Sequence, residues 1–307
     1  MTKPLSTVES HEAATDLDEH VGMVVGIDSS PGSAHAVAWA ARRTDRFGPV
    51  RPVAAWRYPT WAVSDPMLGA PPPAPVEDFA EVARRDAEKA VAEVPEAERS
   101  PLVLVRSPAG PALVDVGADA NLIVVGTRGR GAVADSLLGS VSCYVVNHAT
   151  VPVAVVPRDV PLDDVRNRVI VGIDGSANSV TALRWALQHS PKDMVVEAVH
   201  AWSQRAVTIP EPYTVPIEYS EQDAAVTVER TVVQAMSRLE GPERDVVRTL
   251  HYGDPRNVLR ERSPDADLLV LGARGHRGVA HLLLGSVTTG LIHQPLVATI
   301  VVPVGDD

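Results

Sequence analysis

Cysteine is almost missing from this chain, because Cys143 is the one cysteine among its 307 residues. A single cysteine can make neither an intramolecular disulfide nor a metal site built on several thiolates, so a reducing compartment, the cytoplasm, is expected. Long apolar runs are missing too, since no stretch reaches the roughly 18 consecutive apolar residues that span a bilayer. Residues 1–20 also lack the basic and then apolar order of a signal peptide. We therefore expect no membrane association.

Positively charged residues are also fewer than negatively charged ones. The chain has 28 Lys and Arg against 39 Asp and Glu, which gives a formal net charge of −11. A negative field repels a phosphate backbone, so nucleic acid is not an expected partner. The apolar fraction of 45% and the charged fraction of 22% are typical of a folded globular chain. Since one domain has about 150 residues, the length favours two domains.

The sequence repeats itself at an offset of 146 residues. The run Val24–Asp28 returns as Ile170–Asp174. Across residues 126–142, ten of the seventeen positions are identical to their partners 146 residues later. A unit of this length that occurs twice indicates a duplicated domain rather than a solenoid of short repeats.

The duplication predicts where the domains begin and end. Residues 1–20 are rich in Asp and Glu and are expected to form a disordered acidic tail. The first domain is predicted over residues 21–157 and the second over residues 169–304. Residues 158–168 are polar, contain a proline and are expected to be the linker between them.

Each copy alternates short valine-rich runs with amphipathic segments. The first helix is predicted from Ala34 to Arg46, with Ser33 as its N-cap, because turn-forming residues precede it and apolar residues recur at helical spacing. Near-continuous apolar strands that alternate with helices indicate a parallel sheet covered on both faces. The predicted fold class is therefore α/β, with two tandem doubly wound domains.

A glycine motif lies where such a sheet binds its ligands. Ligands of open parallel sheets lie beyond the carboxyl ends of the strands, and Asp28 and Gly126 end two predicted strands. In the spacing Gly126-x2-Gly129-x9-Gly139-Ser140 the first two glycines let the backbone approach a ligand without an intervening Cβ. Gly139 and Ser140 open an apolar helix, whose free N–H groups and dipole attract an anion.

The same motif recurs in the second copy, at Gly272, Gly275, Gly285 and Ser286. Three fixed glycines followed by Ser or Thr arise by chance about once in 25,000 positions. Two copies in register therefore indicate a binding site. Glycines that serve only tight turns after strands remain the alternative, although that alternative does not require Gly-Ser at the start of a helix.

Other binding and catalytic motifs are excluded. The spacing Gly129-x-Gly131-x-x-Ala134 imitates a dinucleotide fingerprint, but the second copy interrupts it with Arg277. No Gly-Lys-Ser/Thr occurs, so there is no P-loop. The histidines show no metal-binding spacing, and no base adjoins a Ser or Cys nucleophile in a recognisable pattern, so neither a metal site nor a catalytic residue is predicted.

Each copy resembles the universal stress protein domain. The resemblance rests on the Gly-Ile-Asp strand end, on the glycine motif followed by Val, and on the closing Val-Pro-Val-Ala-Val-Val strand at residues 151–156. The whole chain resembles the tandem two-domain form found in actinobacteria. This resemblance implies a five-stranded parallel sheet of order 3-2-1-4-5 in each copy. It also implies binding of ATP, with Mg²⁺, because both copies have the glycine motif.

The resemblance also assigns roles to individual residues. Asp28 and Asp174 match the acidic residue near the adenosine, and Ala55 and Ala201 match the second-strand residue whose backbone reads adenine. Arg128 and Arg274 lie inside the motif and either neutralise phosphate or are solvated. The matching strand-end, ribose and phosphate positions are Gly26, Gly126, Gly129, Gly139, Ser140 and Val141 in the first copy and Gly172, Gly272, Gly275, Gly285, Ser286 and Val287 in the second.

The first copy departs from the family pattern at two turns. It has Ser29 where the second copy has Gly175, and Ser107-Pro108 where the second has Gly253-Asp254. A turn that glycine would allow is therefore expected to be strained or reshaped in the first copy.

The function implied is that of an ATP-binding regulatory protein of the stress response, with one site in each domain. The resemblance further implies a homodimer, docking of the two domains within one chain, and a regulatory protein partner that the sequence does not identify. Two alternatives stay open, a slow ATPase and a nucleotide-free protein-interaction module.

Overall fold

The computed structural model describes residues 22–57, 76–92, 94–95, 99–127, 138–203, 219–239, 244–275 and 284–303. The chain divides into two compact units, residues 1–151 and residues 152–307. Within the described residues, no helix is both long enough and apolar enough to cross a membrane.

The first unit is a parallel sheet with helices. Its strands are β1 (Met23–Ile27), β2 (Val50–Trp56), β3 (Val103–Arg106) and β4 (Leu122–Gly126). Its helices are α1 (Pro31–Ala41), α2 (Thr44–Phe47), α3 (Val76–Val91), α4 (Ala109–Val116) and α5 (Ser140–His148). The strands lie in the order β3-β2-β1-β4, with every pairing parallel. The central strands are almost fully buried, as Val24 in β1 and Val124 in β4 illustrate, because helices cover the sheet on both faces.

The second unit repeats this arrangement. Its strands are β5 (Val153–Val156), β6 (Arg168–Gly172), β7 (Val195–Trp202), β8 (Val246–Tyr252), β9 (Leu268–Gly272) and β10 (Ala298–Val302). Its helices are α6 (Ala177–His189), α7 (Glu221–Met236), α8 (Pro255–Arg262), followed by a 3₁₀ turn (Ser263–Asp265), and α9 (Ser286–Ile292). β5 pairs antiparallel with β10, and the other strands continue parallel in the order β10-β9-β6-β7-β8.

The predicted fold class is confirmed. Numbered within its own copy, the run β8-β7-β6-β9-β10 is the order 3-2-1-4-5. The first unit has the first four positions of the same order. Strand order reverses beside β1 and beside β6, which is where a doubly wound sheet opens a crevice at its carboxyl edge.

The start of the first helix differs from the prediction. Helix α1 begins at Pro31, with Ser30 rather than Ser33 as its N-cap, and it ends at Ala41. The hydroxyl of Ser30 accepts the backbone N–H of Ser33 at 3.1 Å. The predicted start at Ala34 was wrong because proline, which is common in turns, is also tolerated in the first turn of a helix.

At the equivalent contact between two helices, the two units exchange the positions of a large and a small residue. In the first unit a Cβ on Gly110 of α4 would lie 2.6 Å from the ring of Tyr144 of α5. In the second unit a Cβ on Gly290 of α9 would lie 2.7 Å from Cδ of Arg256 of α8. At the offset of 146, Gly110 corresponds to Arg256 and Tyr144 corresponds to Gly290. Each helix pair therefore combines one large and one small residue, with the roles exchanged.

Candidate functional site

The sheet makes the relevant strands neighbours in both units. β1 pairs with β4, and β6 pairs with β9, in parallel register. Asp28 and Gly126 therefore lie at the carboxyl ends of adjacent strands, as Asp174 and Gly272 do in the second unit. This is the edge at which open parallel sheets bind ligands.

A hydrogen-bonded turn holds each aspartate. Oδ1 of Asp28 accepts the backbone N–H of Ser30 at 3.0 Å. Oδ1 of Asp174 accepts both the backbone N–H of Ser176, at 3.0 Å, and its hydroxyl, at 2.6 Å. Ser176 also caps α6, because its Oγ accepts the N–H of Ser179 at 3.2 Å. In both units the serine that binds the aspartate is also the N-cap of the next helix.

The two departures of the first copy have different outcomes. Ser29 adopts φ 61°, close to the φ 85° of Gly175, so the turn after Asp28 is strained as expected. At the other turn Gly253 has φ 146°, and Asp254 caps α8 by accepting the N–H of Arg256 at 3.0 Å. Its counterpart Pro108 offers no side-chain cap to α4. At these two positions the first copy therefore has a strained turn and a helix, α4, without a side-chain cap.

Gly126 and Gly272 make room for a helix. A Cβ on Gly126 would lie 2.8 Å from the carbonyl oxygen of Gly32, and one on Gly272 would lie 2.9 Å from that of Asn178. Both carbonyls belong to the first turn of the helix after the first strand of each copy. The sequence interpretation gave this space to a ligand, whereas the structure fills it with the backbone of α1 and α6.

Gly26 and Gly172 are also explained by packing. A Cβ on Gly26 would lie 2.8 Å from Cδ1 of Leu113 in α4. A Cβ on Gly172 would lie 2.8 Å from Cδ2 of Leu271 and 2.9 Å from Cδ1 of Leu259. These two glycines let leucine side chains approach the sheet.

Gly275 lies close to both Asp174 and Gly285. A Cβ on Gly275 would overlap Oδ2 of Asp174. The N–H of Gly285 donates to the carbonyl oxygen of Ala273 at 2.8 Å, and a Cβ on Gly285 would lie 3.5 Å from both the backbone N of Gly275 and Cα of Arg274. The strand-end aspartate, the start of the glycine loop and the start of the following helix thus meet at one place.

The helices after the glycine loops begin without side-chain caps. Gly139 and Gly285 occupy the N-cap positions of α5 and α9 in extended conformation, and neither has a capping side chain. Because the first N–H groups of a helix have no intrahelical acceptor, they can receive an anion. Ser140 and Ser286, the first helical residues, are both exposed.

Two hydroxyl residues that the sequence interpretation missed fix these helices. Oγ of Ser142 donates to the carbonyl oxygen of Gly126 at 2.6 Å, and Oγ1 of Thr288 donates to that of Gly272 at 2.8 Å. Each bond ties the first turn of the helix to the end of its strand. The signal was a hydroxyl residue at this position in both copies, and the chemical similarity of Ser and Thr could have revealed it.

The remaining predicted site residues lie as follows. Ala55 pairs with Val105 at the end of β2. Ala201 and Val287 are half-buried against the hydrophobic core of the second unit, and Val141 is half-buried too. Arg274 is half-buried beside Gly275. Arg128 and Gly129 lie outside the described residues. In the part of the chain that the structure describes, no three His, Cys, Asp or Glu side chains form a group that would hold a metal ion.

Known proteins resemble both halves of the chain. The model of the universal stress protein family matches residues 22–157 and again residues 166–303. Universal stress protein Rv2005c of Mycobacterium tuberculosis is 34% identical over 303 residues, which cover 91% of this chain and 96% of that protein. Universal stress protein Rv2623 of the same organism is 33% identical over 292 residues, with coverages of 87% and 91%.

A solved structure agrees with the fold. The crystal structure of a universal stress protein from Archaeoglobus fulgidus superposes with a TM-score of 0.62 at 20% identity, and it covers 92% of this chain and 98% of its own. With two matches of the family model and relatives aligned over nine-tenths of its length, this chain belongs to the universal stress protein family.

Proposed function

We propose that this protein binds ATP, one molecule at the carboxyl edge of the sheet in each half, and that it acts as a nucleotide-dependent regulator. The observation that supports this most is the convergence of Asp174, Gly275 and Gly285. These three residues bring together a carboxylate, a stretch of backbone without a Cβ and an uncapped helix start. A nucleoside phosphate needs all three kinds of group.

Each group suits a different part of the nucleotide. A carboxylate accepts hydrogen bonds from hydroxyl groups such as those of a ribose. The uncapped N–H groups at the starts of α5 and α9 suit a phosphate, which the helix dipole also favours. Arg274 adjoins Gly275 and would add a positive charge on the phosphate side. Because Mg²⁺ is usually held by phosphate oxygens and one or two carboxylates, the expected Mg²⁺ needs no cage made of protein ligands alone.

The site is proposed for binding and not for turnover. The residues that converge are two glycines and an aspartate whose Oδ1 already accepts two hydrogen bonds from Ser176. The homodimer, the regulatory partner and the cytoplasmic location stay predictions from the family resemblance.

The test compares two substitutions of one glycine. A Cβ on Gly285 would meet its neighbours at 3.5 Å, which is ordinary contact, so Gly285→Ala should keep the fold and most of the ATP affinity. Gly285→Arg should place a long side chain at the helix start and abolish binding at the second site. Isothermal titration of both variants with ATP in the Gly139→Arg chain, whose first site is blocked, checks the second site, with melting temperature as the control for folding. Equal ATP affinity in the two folded variants would show that the site lies elsewhere.

A further inference from the structure

His200 is a buried polar residue beside the proposed second site. It lies in β7 immediately before Ala201 and is only 6% exposed. Its Nδ1 is 2.8 Å from the carbonyl oxygen of Ile173, the residue immediately before Asp174. Because a carbonyl can only accept, this nitrogen donates the hydrogen bond. The bond joins the ends of two neighbouring strands, β6 and β7, immediately before the turn that contains Asp174.

The other ring nitrogen extends the connection to a helix. Nε2 of His200 lies 3.3 Å from the hydroxyl of Tyr219, and that hydroxyl lies 2.9 Å from Oγ1 of Thr227 in α7. Oγ1 of Thr227 also lies 2.9 Å from the carbonyl oxygen of Asp223. Its one proton goes either to that carbonyl or to Tyr219, so the chain from His200 is complete when Thr227 donates to Tyr219 and Tyr219 donates to Nε2. A continuous chain of hydrogen bonds therefore runs from the end of β6 to the first turns of α7. Such chains fix the groups at both ends.

The histidine that begins this chain has no counterpart in the first unit. At the offset of 146, Ala54 stands in place of His200 and its methyl group can make no hydrogen bond. The turn after Asp28 is also strained at Ser29, whereas Gly175 adopts the same turn without a Cβ. In the second unit a side chain therefore anchors the strand end before the aspartate, whereas the residue at the same position of the first unit has no polar group that could do so.

We infer that His200 is a positioning residue that makes the second nucleotide site the tighter of the two. This inference rests on the function proposed above. A site whose groups are already fixed loses less conformational freedom when it binds. One net hydrogen bond changes an equilibrium by roughly threefold to tenfold, so the second site should fill at an ATP concentration roughly tenfold lower than the first. The protein would then respond to nucleotide in two steps.

The test measures each site in the full chain with the other one blocked. Gly139→Arg leaves the second site to be titrated with ATP, and Gly285→Arg leaves the first. We expect the dissociation constant of the second site to be about tenfold lower. Equal constants would overturn the inference while leaving the proposed function intact. No ATP binding by the folded wild type would overturn both.

Three substitutions then test His200 itself in the Gly139→Arg chain. His200→Asn keeps an N–H that can donate to the carbonyl of Ile173, whereas His200→Gln places its amide towards Tyr219 and gives up the bond to Ile173. We expect near-normal ATP affinity for Asn and an affinity roughly tenfold weaker for Gln. His200→Ala, which copies Ala54, should resemble Gln.

Melting temperatures without nucleotide separate positioning from general stability. If Asn and Gln lower the melting temperature by similar amounts but only Gln lowers the ATP affinity, the positioning role is supported. If both variants bind ATP as the Gly139→Arg parent does, or both lose affinity equally, the inference is wrong. The Asn and Gln pair decides the question even if the Ala variant fails to fold.

Discussion

The carboxylate of Asp174 occupies the space that a Cβ on Gly275 would need. This contact joins the Gly-Ile-Asp strand end to the glycine motif, two sequence features that lie about a hundred residues apart in the same copy. Glycine at this position therefore has a reason within the protein itself, because any larger residue would displace the aspartate. The carboxylate and the glycine loop are one structural unit.

Gly275→Ala should weaken ATP binding at the second site without unfolding it. The new Cβ would push aside the carboxylate of Asp174, and a hydrogen bond to a charged group contributes roughly 1.5–3 kcal/mol, which is tenfold or more in affinity. Gly285→Ala is the matched control, since its Cβ meets only ordinary contacts. Isothermal titration in the Gly139→Arg chain measures the effect. Wild-type affinity in Gly275→Ala would show that Asp174 does not bind the nucleotide.

Ser29→Gly should stabilise the first unit. Ser29 holds a positive φ of 61°, which costs a non-glycine residue of order 1–3 kcal/mol. Glycine removes this strain but gains freedom in the unfolded chain, so we expect a net increase of about 1 kcal/mol in the free energy of unfolding. The reciprocal change Gly175→Ser should lower it by a similar amount. Urea denaturation of both variants is the check, and a loss of stability in Ser29→Gly would contradict the strain.

The fold could be predicted from the sequence because its signals are periodic and occur twice. Valine-rich runs such as Val24–Asp28 recur at a constant offset, and each run alone predicts a buried strand. The predicted start of the first helix was wrong because Pro31 is compatible both with a turn and with the first turn of a helix. The end of a helix depends on a single capping residue, and the periodicity of apolar residues does not show which residue that is.

The candidate site was harder to predict because its contacts cross long stretches of sequence. Gly26 meets Leu113 and Gly126 meets the carbonyl of Gly32, and neither spacing follows any local period. A glycine that admits a ligand and one that admits a helix look the same in a sequence. His200 could not be predicted from the positions that are identical in the two copies, because it matters as a difference from Ala54.

Gly110→Ala should destabilise the first unit by about 1–3 kcal/mol, because overpacking forces the ring of Tyr144 to move. Tyr144→Ala in the same chain should recover most of this loss, since it removes the group that clashes. A double-mutant cycle by urea denaturation measures the coupling between the two residues. Additive effects would show that the two side chains are not in contact in solution.

A buried glutamate that pairs with two arginines gives the second unit a specific acid sensitivity. Glu197 in β7 is fully buried and binds Arg168 at 2.5 Å, Thr249 at 3.0 Å and Arg262 at 3.1 Å. Burial acts to raise the pKa of Glu197, but the hydrogen bonds from Arg168 and Thr249 and the charge of Arg262 outweigh it and hold the pKa below its ordinary value. A carboxyl whose pKa is lower in the folded state stabilises the fold above its unfolded pKa.

That stabilisation should be lost as the pH falls below the ordinary glutamate pKa of about 4.3 and through the lower pKa of the folded state. Glu197→Gln should cost roughly 1.5–3 kcal/mol at neutral pH, because it removes the charge that pairs with the two partly exposed arginines, Arg168 and Arg262. Its stability should also depend less on pH in the acid range. Glu229→Gln, which removes the exposed ion pair with Arg248, is the control and should cost less than about 1 kcal/mol. Parallel acid profiles for the wild type and Glu197→Gln would contradict the assignment.

The stoichiometry of ATP on the intact chain tests the central claim most directly. Native mass spectrometry should detect two ATP molecules on the wild type at saturation, one on Gly139→Arg, one on Gly285→Arg and none on the double variant, all with the same fold by circular dichroism. The double variant blocks both helix starts, so it distinguishes the proposed sites from any other. Two molecules of ATP bound to the folded double variant, or none bound to the folded wild type, would contradict it.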